Sequence, residues 1–305
     1  MSLVLLCPGQ GGQHPAMFER VRGNPLAQPV LDLAGELLGT PVEQIAADAT
    51  RFRNALAQPL VCTAALAHWA ALRNALPAIT AVAGYSAGEL AAHAVAGSFD
   101  TATCLRLARK RARLMDAATP DDAGLLAVIG LDDVRIARLC AAHGIFLAIV
   151  NGPDHVVLGG GRSALEAASA EAAASGARVV SLPVCVPAHT PLLTVAAQGF
   201  EDLLHSVALR APRLRLLAGI DGRLVGDVER VVATLSAQIA QPLQWQTVLQ
   251  QAVERGGRVF LELGPGAALS RRARELHPQL EARSVEDFQT LEGVQEWVDR
   301  ACARA

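Results

Sequence analysis

The stretch AVAGYSAGEL, Ala81 to Leu90, carries a β-rich apolar run straight into a helical pattern through Gly84-Tyr85-Ser86-Ala87-Gly88. A serine in G-x-S-x-G spacing between a strand and a helix reads as a nucleophile elbow. Glycine on either side lets strand and helix approach in a tight turn, which pushes the serine into a strained, exposed conformation. The free amides at the start of the next helix then point at Ser86, where they can hold an oxyanion. An ordinary turn whose serine caps the helix has the same five letters. The strand before and the helix after shift the balance towards the nucleophile.

Outward from the elbow, short apolar runs alternate with longer helical patterns, which predicts an α/β fold with a mostly parallel sheet. Strands are expected at Leu3–Cys7, Ile79–Gly84, Leu125–Ile129, Phe146–Val150, Val156–Gly159, Arg178–Leu182, Leu214–Ala218 and Val259–Leu263. Helices are expected at Pro29–Leu38, Pro59–Ala75, Gly88–Ala94, Thr101–Ala117, Val134–His143, Ser163–Ala174, Pro191–Ser206, Val228–Gln238 and Leu243–Arg255. From about Gly124 to Pro183 the order becomes strand, helix, strand, strand, helix, strand. Asn151-Gly-Pro-Asp154 turns between the two middle strands. That is the ferredoxin-like βαββαβ unit. The expected architecture is a large α/β-hydrolase-like domain with a parallel sheet, residues 1–122 and 190–305, carrying an inserted small ferredoxin-like α+β domain, residues 123–189. Asp121, Asp122 and Gly124 suit a hinge into the insert, and Pro183 and Pro187 a way out.

Composition narrows the functional classes. The 305 residues are 51% hydrophobic but only 4% aromatic, so the core must be built from Ala, Leu and Val with backbones packed closely. A formal charge of −2 sets up no global field towards nucleic acid or anionic lipid. Six scattered cysteines contain no CxxC pair and no zinc spacing, and read as buried reduced thiols of a cytoplasmic protein. The N-terminal MSLVLLCPGQGGQ lacks a basic n-region and reads as a buried strand ending in a glycine loop. No apolar stretch reaches membrane-span length without Arg, Asp, Gly or Pro interrupting it.

A serine nucleophile needs a base. Of the eight histidines, His68 and His93 sit inside helical patterns, and His143 and His155 fall within the small domain. His189 follows Pro183-Val-Cys-Val-Pro-Ala188 at the junction back to the large domain, where a loop faces the cleft. On position alone a surface-loop histidine is the better reading. No acid is an obvious third member of a triad, but a backbone carbonyl can hold the imidazole tautomer instead. A serine esterase or thioesterase is the nearest rival class. It wants a late histidine, for which His277 is the one position, and nothing local marks it. A dinucleotide site at Gly159-x-Gly161-x-x-Ala164 is rejected, because Val179-Val-Ser-Leu182 lacks the acidic residue that fingerprint requires. A non-catalytic scaffold of an acyl-transfer assembly is a third class.

Five motifs occur in one order: Pro8-Gly-Gln-Gly-Gly-Gln13, Gly84-Tyr-Ser-Ala-Gly-Glu89, Arg111-Ala-Arg-Leu-Met115, Val186-Pro-Ala-His189 and Glu262-Leu-Gly-Pro-Gly266. Together, almost end to end, the chain resembles the malonyl-CoA:acyl carrier protein transacylase family. The resemblance implies a Ser86–His189 dyad and an oxyanion hole made by the backbone amides of Gln10 and Ala87. It also implies that Arg111 grips the free carboxylate of malonate. A planar guanidinium holds a carboxylate through two parallel hydrogen bonds, and an esterase for neutral esters has no use for it. Read without the resemblance, Arg111 is one of five cations, with Arg106, Arg109, Lys110 and Arg113, on a solvated helix. The resemblance places Gln58 and Asn151 near the substrate, and puts Gln241, before Pro242, where a backbone carbonyl orients the histidine. Each of these three also fits a turn or a helix start.

The family implies malonyl-CoA as donor, an acyl carrier protein with a phosphopantetheine-type arm as acceptor, and no bound cofactor or metal. Tyr85 stands where the common fatty-acid enzyme has histidine, and is more like the transacylase subunit of bacterial malonate decarboxylase. That resemblance implies a place among the other malonate decarboxylase subunits. Fatty-acid or polyketide service is the alternative. Carrier proteins are acidic, so Arg271, Arg272 and Arg274, or Arg51 and Arg53, are the docking candidates. Solvated helix charge accounts for both clusters equally well.

Overall fold

The protein is described by a computed structural model over residues 2–305. Its strands are β1 (Leu3–Cys7), β2 (Ile79–Gly84), β3 (Ala123–Ile129), β4 (Phe146–Gly152), β5 (His155–Gly161), β6 (Arg178–Ser181), β7 (Leu216–Leu217), β8 (Leu224–Val225), β9 (Val259–Glu262) and β10 (Glu281–Ser284). Its α-helices are α1 (Gln28–Leu38), α2 (Val42–Ala47), α3 (Asn54–Leu72), α4 (Gly88–Ala96), α5 (Thr101–Ala118), α6 (Asp133–His143), α7 (Arg162–Ala174), α8 (Thr194–His205), α9 (Val228–Ala237), α10 (Trp245–Glu254), α11 (Ala268–Leu276) and α12 (Leu291–Arg304).

Two sheets organise the chain. The larger runs β10-β9-β1-β2-β7-β8, parallel except for the β7–β8 pair. Its central strands are apolar throughout because both of their faces are covered. Leu3, Leu5, Cys7 and Val82 face one core, and Val4, Leu6, Ala81 and Ala83 face the other. The first core is closed by α3, whose Ala-rich surface packs closely on α1, α4 and α5. Among the described residues, α3 is the one helix long and apolar enough to cross a membrane. It carries Pro59 within it, and 72% of that stretch is buried inside the fold.

The smaller sheet has the order β4-β5-β3-β6, antiparallel throughout, with α6 and α7 packed together over it around Leu126, Val128, Ile136, Leu158 and Leu165. Its glycines serve packing. A Cβ on Gly159 would lie 2.7 Å from Thr190 Cγ2, and one on Gly160 would lie 2.8 Å from Ile145 Cγ2. The two sheets are stitched by backbone bonds: Val150 N donates to Leu243 O at 2.8 Å and Leu243 N to Ala148 O at 3.0 Å. Asp122, just before β3, has φ of 57° and is held by Arg162, whose Nε lies 2.6 Å from Asp122 Oδ1. Cys185 is exposed, unlike the buried Cys7, Cys62 and Cys104, so the expectation of buried thiols fails there.

Candidate active site

The parallel sheet places Ser86 at the carboxyl end of β2, beside the glycine loop that follows β1. Ligands of open α/β sheets bind at such an edge. Tyr85 N donates to Cys7 O at 2.9 Å, so the two loops leave the sheet side by side. The glycines of the elbow are needed for close approach. A Cβ on Gly84 would come within 2.3 Å of Glu89 Cα, and one on Gly88 within 2.2 Å of Cys7 O. No side chain fits between strand and helix there. Ser86 is left at φ 54°, a left-handed conformation uncommon outside glycine.

His189 meets it. Its Nε2 lies 2.8 Å from Ser86 Oγ. Its Nδ1 donates to the backbone carbonyl of Gln238 at 2.5 Å. That bond fixes the tautomer, leaving Nε2 bare to take the serine proton. His189 has φ of 66°, and its own amide is anchored to Ile239 O at 2.8 Å. Burial, then the nearby Arg111 charge, hold the imidazole down at about 3, against the pull of the Gln238 carbonyl. The orienting carbonyl was expected at Gln241. Gln241 is instead exposed beyond the end of α9, and its amide closes the turn onto Ala237 O. Gln238 lies one helical turn earlier, where the chain bends under His189.

Arg111 is 1% exposed, whereas Arg106, Lys110 and Arg113 on the same helix face solvent. Its guanidinium donates to Gln58 Oε1 at 2.7 Å and Gln238 Oε1 at 3.3 Å, and its Nε has no partner. Burial lowers it to about 10, still charged at neutral pH. A buried cation held by neutral amides, with a donor to spare, is a site for an anion. Gln58 is buried and braced by Asn54 Oδ1 at 2.8 Å, so Arg111 is held in place from behind.

Ser86 and His189 border a cavity of about 470 Å3, whose lining does not include Arg111, Gln58 or Gln238. Gln238 connects the Arg111 guanidinium to His189. Gln10 lines the cavity, with its side-chain oxygen buried and unpartnered. Among the described residues, neither the Gln10 nor the Ala87 amide donates to another backbone group. Asn151 also lines the cavity and accepts a hydrogen bond from Tyr85 Oη at 3.1 Å. The Tyr85 ring stands edge-on to Trp245 at 5.2 Å, and burial pushes its hydroxyl up to about 12. At the mouth, Arg271 and Arg272 on α11 line the rim, and Arg272 bridges His155 and Glu275. Arg51 and Arg53 lie off this cavity, with Arg51 stacked on Phe52. His277 is absent from the lining.

Sequence reasoning missed Gln238, Glu89 and Trp245. Glu89 had a legible signal: a lone acid directly after the elbow, in a helix whose one other polar side chain is His93. It is fully buried, and accepts from Gly219 N at 3.2 Å and Gln238 Nε2 at 2.9 Å.

A hydroxyl bonded to an oriented imidazole at a cavity, free amides at Gln10 and Ala87, and a buried cation linked to the imidazole through Gln238 are the parts of an acyl-transfer site, and with this fold they define a serine acyltransferase. The acyl transferase domain family matches residues 4–293. The malonyl CoA-acyl carrier protein transacylase of Salmonella typhimurium is 30% identical over 294 residues, covering 92% of this chain and 94% of that one. The crystal structure of FabD from Acinetobacter baumannii superposes with a TM-score of 0.92 at 27% identity, covering 98% of this chain and 99% of that one. A type II PKS acyl-carrier protein in complex with its malonyl-transacylase offers a similar fold, TM-score 0.92 at 26% identity, covering 97% and 99%. The chain belongs to the acyl transferase domain family, and within it to the malonyl CoA-acyl carrier protein transacylases.

Proposed function

We propose that this protein transfers malonyl groups from malonyl-CoA to the phosphopantetheine thiol of an acyl carrier protein, through a malonyl ester on Ser86. The observation that carries this reading is the pairing of the Ser86–His189 contact with a buried, carboxylate-free Arg111. His189 takes the Ser86 proton as Oγ attacks the thioester carbonyl. The Gln10 and Ala87 amides stabilise the tetrahedral oxyanion, and the thiol of coenzyme A leaves with the proton. The carrier thiol then reverses the steps. Arg111 holds the acyl carboxylate, and Gln58 and Asn151 hold the walls of the substrate pocket. A thioester is exchanged for an ester and back, so this chain's own residues account for every proton moved. We read β3 to β6 with α6 and α7, residues 123–189, as a ferredoxin-like insert in an α/β-hydrolase-like body. The site lies between them.

The names of the relatives, one of them bound to a polyketide carrier, support fatty-acid or polyketide service over the malonate decarboxylase assignment drawn from Tyr85. Tyr85 has a local role that requires no particular pathway, as it bonds Asn151 across the two sheets. The test is to mix the enzyme with malonyl-CoA and follow acyl-Ser86 by intact mass, then add a purified holo acyl carrier protein of fatty-acid type and, separately, a malonate decarboxylase carrier. Malonylation of the first carrier supports the reading, whereas release of free malonate alone overturns it in favour of a thioesterase.

A further inference from the structure

Gln238 connects three groups. Its backbone carbonyl holds His189, its side-chain carbonyl accepts from Arg111, and its side-chain amide donates to Glu89. Glu89 is thus one residue removed from the buried Arg111 cation. Its carboxylate receives only N–H donors, from Gln238 and from Gly219, whose lack of a side chain is required: a Cβ there would lie 2.6 Å from Glu89 Oε2. It also sits in the first turn of α4, where the helix favours an anion. No acid bonds Arg111 directly among the described residues. Above about pH 8, where Glu89 is ionised, the Arg111 charge is therefore balanced by Glu89 through one amide.

An arriving acyl carboxylate upsets that balance, because two anions would then share one buried cation. Like charges in one buried site raise each other's proton affinity. We propose that Glu89 takes up a proton from solvent when an acyl group bearing a carboxylate docks on Arg111, so that the site exchanges one negative charge for another. Above about pH 8 the charges before are Arg111 cation and Glu89 anion, and after, Arg111 cation, acyl carboxylate and neutral Glu89; below it Glu89 is already neutral and docking takes up no proton. The inference rests on the malonyl reading of the site. Other charged groups facing Glu89 are Arg111 on α5, and Asp221 after β7 with Arg230 on α9, which pair with each other at 2.6 Å. His189 is neutral, and the thiols of Cys7, Cys62 and Cys104 below the elbow are buried. Burial already pushes Glu89 up to about 8, against the Gly219 bond and the Arg111 charge, so the proton is exchanged within a measurable range.

The experiment is calorimetric binding of malonyl-CoA and acetyl-CoA to Ser86→Ala, which cannot form the ester, between pH 7 and 9.5. The ratio of the two affinities cancels every group that responds to coenzyme A itself. The malonyl advantage is expected to fall as pH rises through about 8, by up to roughly tenfold per pH unit. It should be flat in Ser86→Ala/Glu89→Gln, which presents a permanently neutral amide. A flat ratio in Ser86→Ala itself overturns the proposal whether or not the second variant folds, as does a fall that persists without Glu89. If Ser86→Ala shows no malonyl advantage at pH 7, or keeps it when Arg111 is also replaced by alanine, the malonyl reading itself fails.

Discussion

Replacing Arg111 by alanine should separate the two acyl groups that the enzyme could carry. In the wild type the guanidinium is 1% exposed and has neutral partners only, so a malonyl carboxylate at its free edge would be a buried, charge-assisted pair. Truncating one partner of such a pair costs about 2–5 kcal/mol. That is roughly a 30- to 4,000-fold loss in kcat/KM for malonyl-CoA, at 1.4 kcal/mol per tenfold. Acetyl-CoA has no carboxylate, and with it the wild-type Arg111 stays a buried cation with an unpartnered Nε. Its kcat/KM should change by less than about threefold, the scale of a contact that contributes nothing in the transition state. The assay is transfer of each radiolabelled acyl group to a holo carrier protein, read as kcat/KM. Arg111→Lys should fall between, since an ammonium keeps the charge but loses the two-pronged geometry. Equal losses for malonyl and acetyl groups would mean that Arg111 supports the fold beneath Ser86, and the carboxylate argument would be refuted.

Ser86→Ala should eliminate the acyl adduct in intact-mass spectra and cut turnover by on the order of 10⁶, the scale of losing a serine nucleophile. The acid limb of the pH profile should be missing: His189 titrates near 3, below the ordinary histidine value, and its neutral form is the base. Acylation by acetyl-CoA should therefore stay level from pH 7 down to 5, and a fall centred near 6.5 would count against the buried geometry. Gln238→Ala keeps the backbone carbonyl on His189 but removes the link to Arg111. Its malonyl kcat/KM should drop roughly tenfold, about the 1–2 kcal/mol of a buried hydrogen bond, with acetyl transfer largely kept. Gln241→Ala should leave both activities, and a Tm within about 2 °C, unchanged, because an exposed substitution shifts stability by under about 0.5 kcal/mol.

How much of this was legible depended on whether the signal was local. The elbow, the glycine loop and the central strands each declare themselves within a few residues, and β1 and β2 begin and end where the apolar runs do. Leu224–Val225 and Glu281–Ser284 did not read as strands, because two-residue and edge strands carry polar letters such as EARS. α2, α11 and α12 were missed for a related reason. ALSRRAREL buries only a narrow stripe, Leu269, Ser270 and Ala273, so polar residues dominate its sequence. α3 was expected to start at Pro59, the residue that suits a first helical turn. It starts at Asn54, and its Pro59 lies inside the helix. The identity of the His-orienting carbonyl was out of reach for a different reason. Gln238 and Gln241 are three residues apart at one helix end, and only the path of the chain past His189 separates them.

Ser86 and His189, the two residues assigned to the chemistry, are also two of the three non-glycine residues with positive φ among the described residues. Such conformations cost on the order of 1–3 kcal/mol each and persist only where the surroundings over-determine them. At Ser86 the constraint is steric and local. Gly84 and Gly88 let β2 and α4 pack so closely that the intervening turn has one path. At His189 the constraint is remote, from Ile239 O on its amide and Gln238 O on its ring, both just past the end of α9. The same Gln238 reaches Arg111 and Glu89 with its side chain. The imidazole and the guanidinium therefore share one partner residue, and a shift of the α9 terminus that misplaces the imidazole must also disturb the guanidinium. On the proposed reading, malonyl specificity and the orientation of the base are in this way tied to a single joint in the fold.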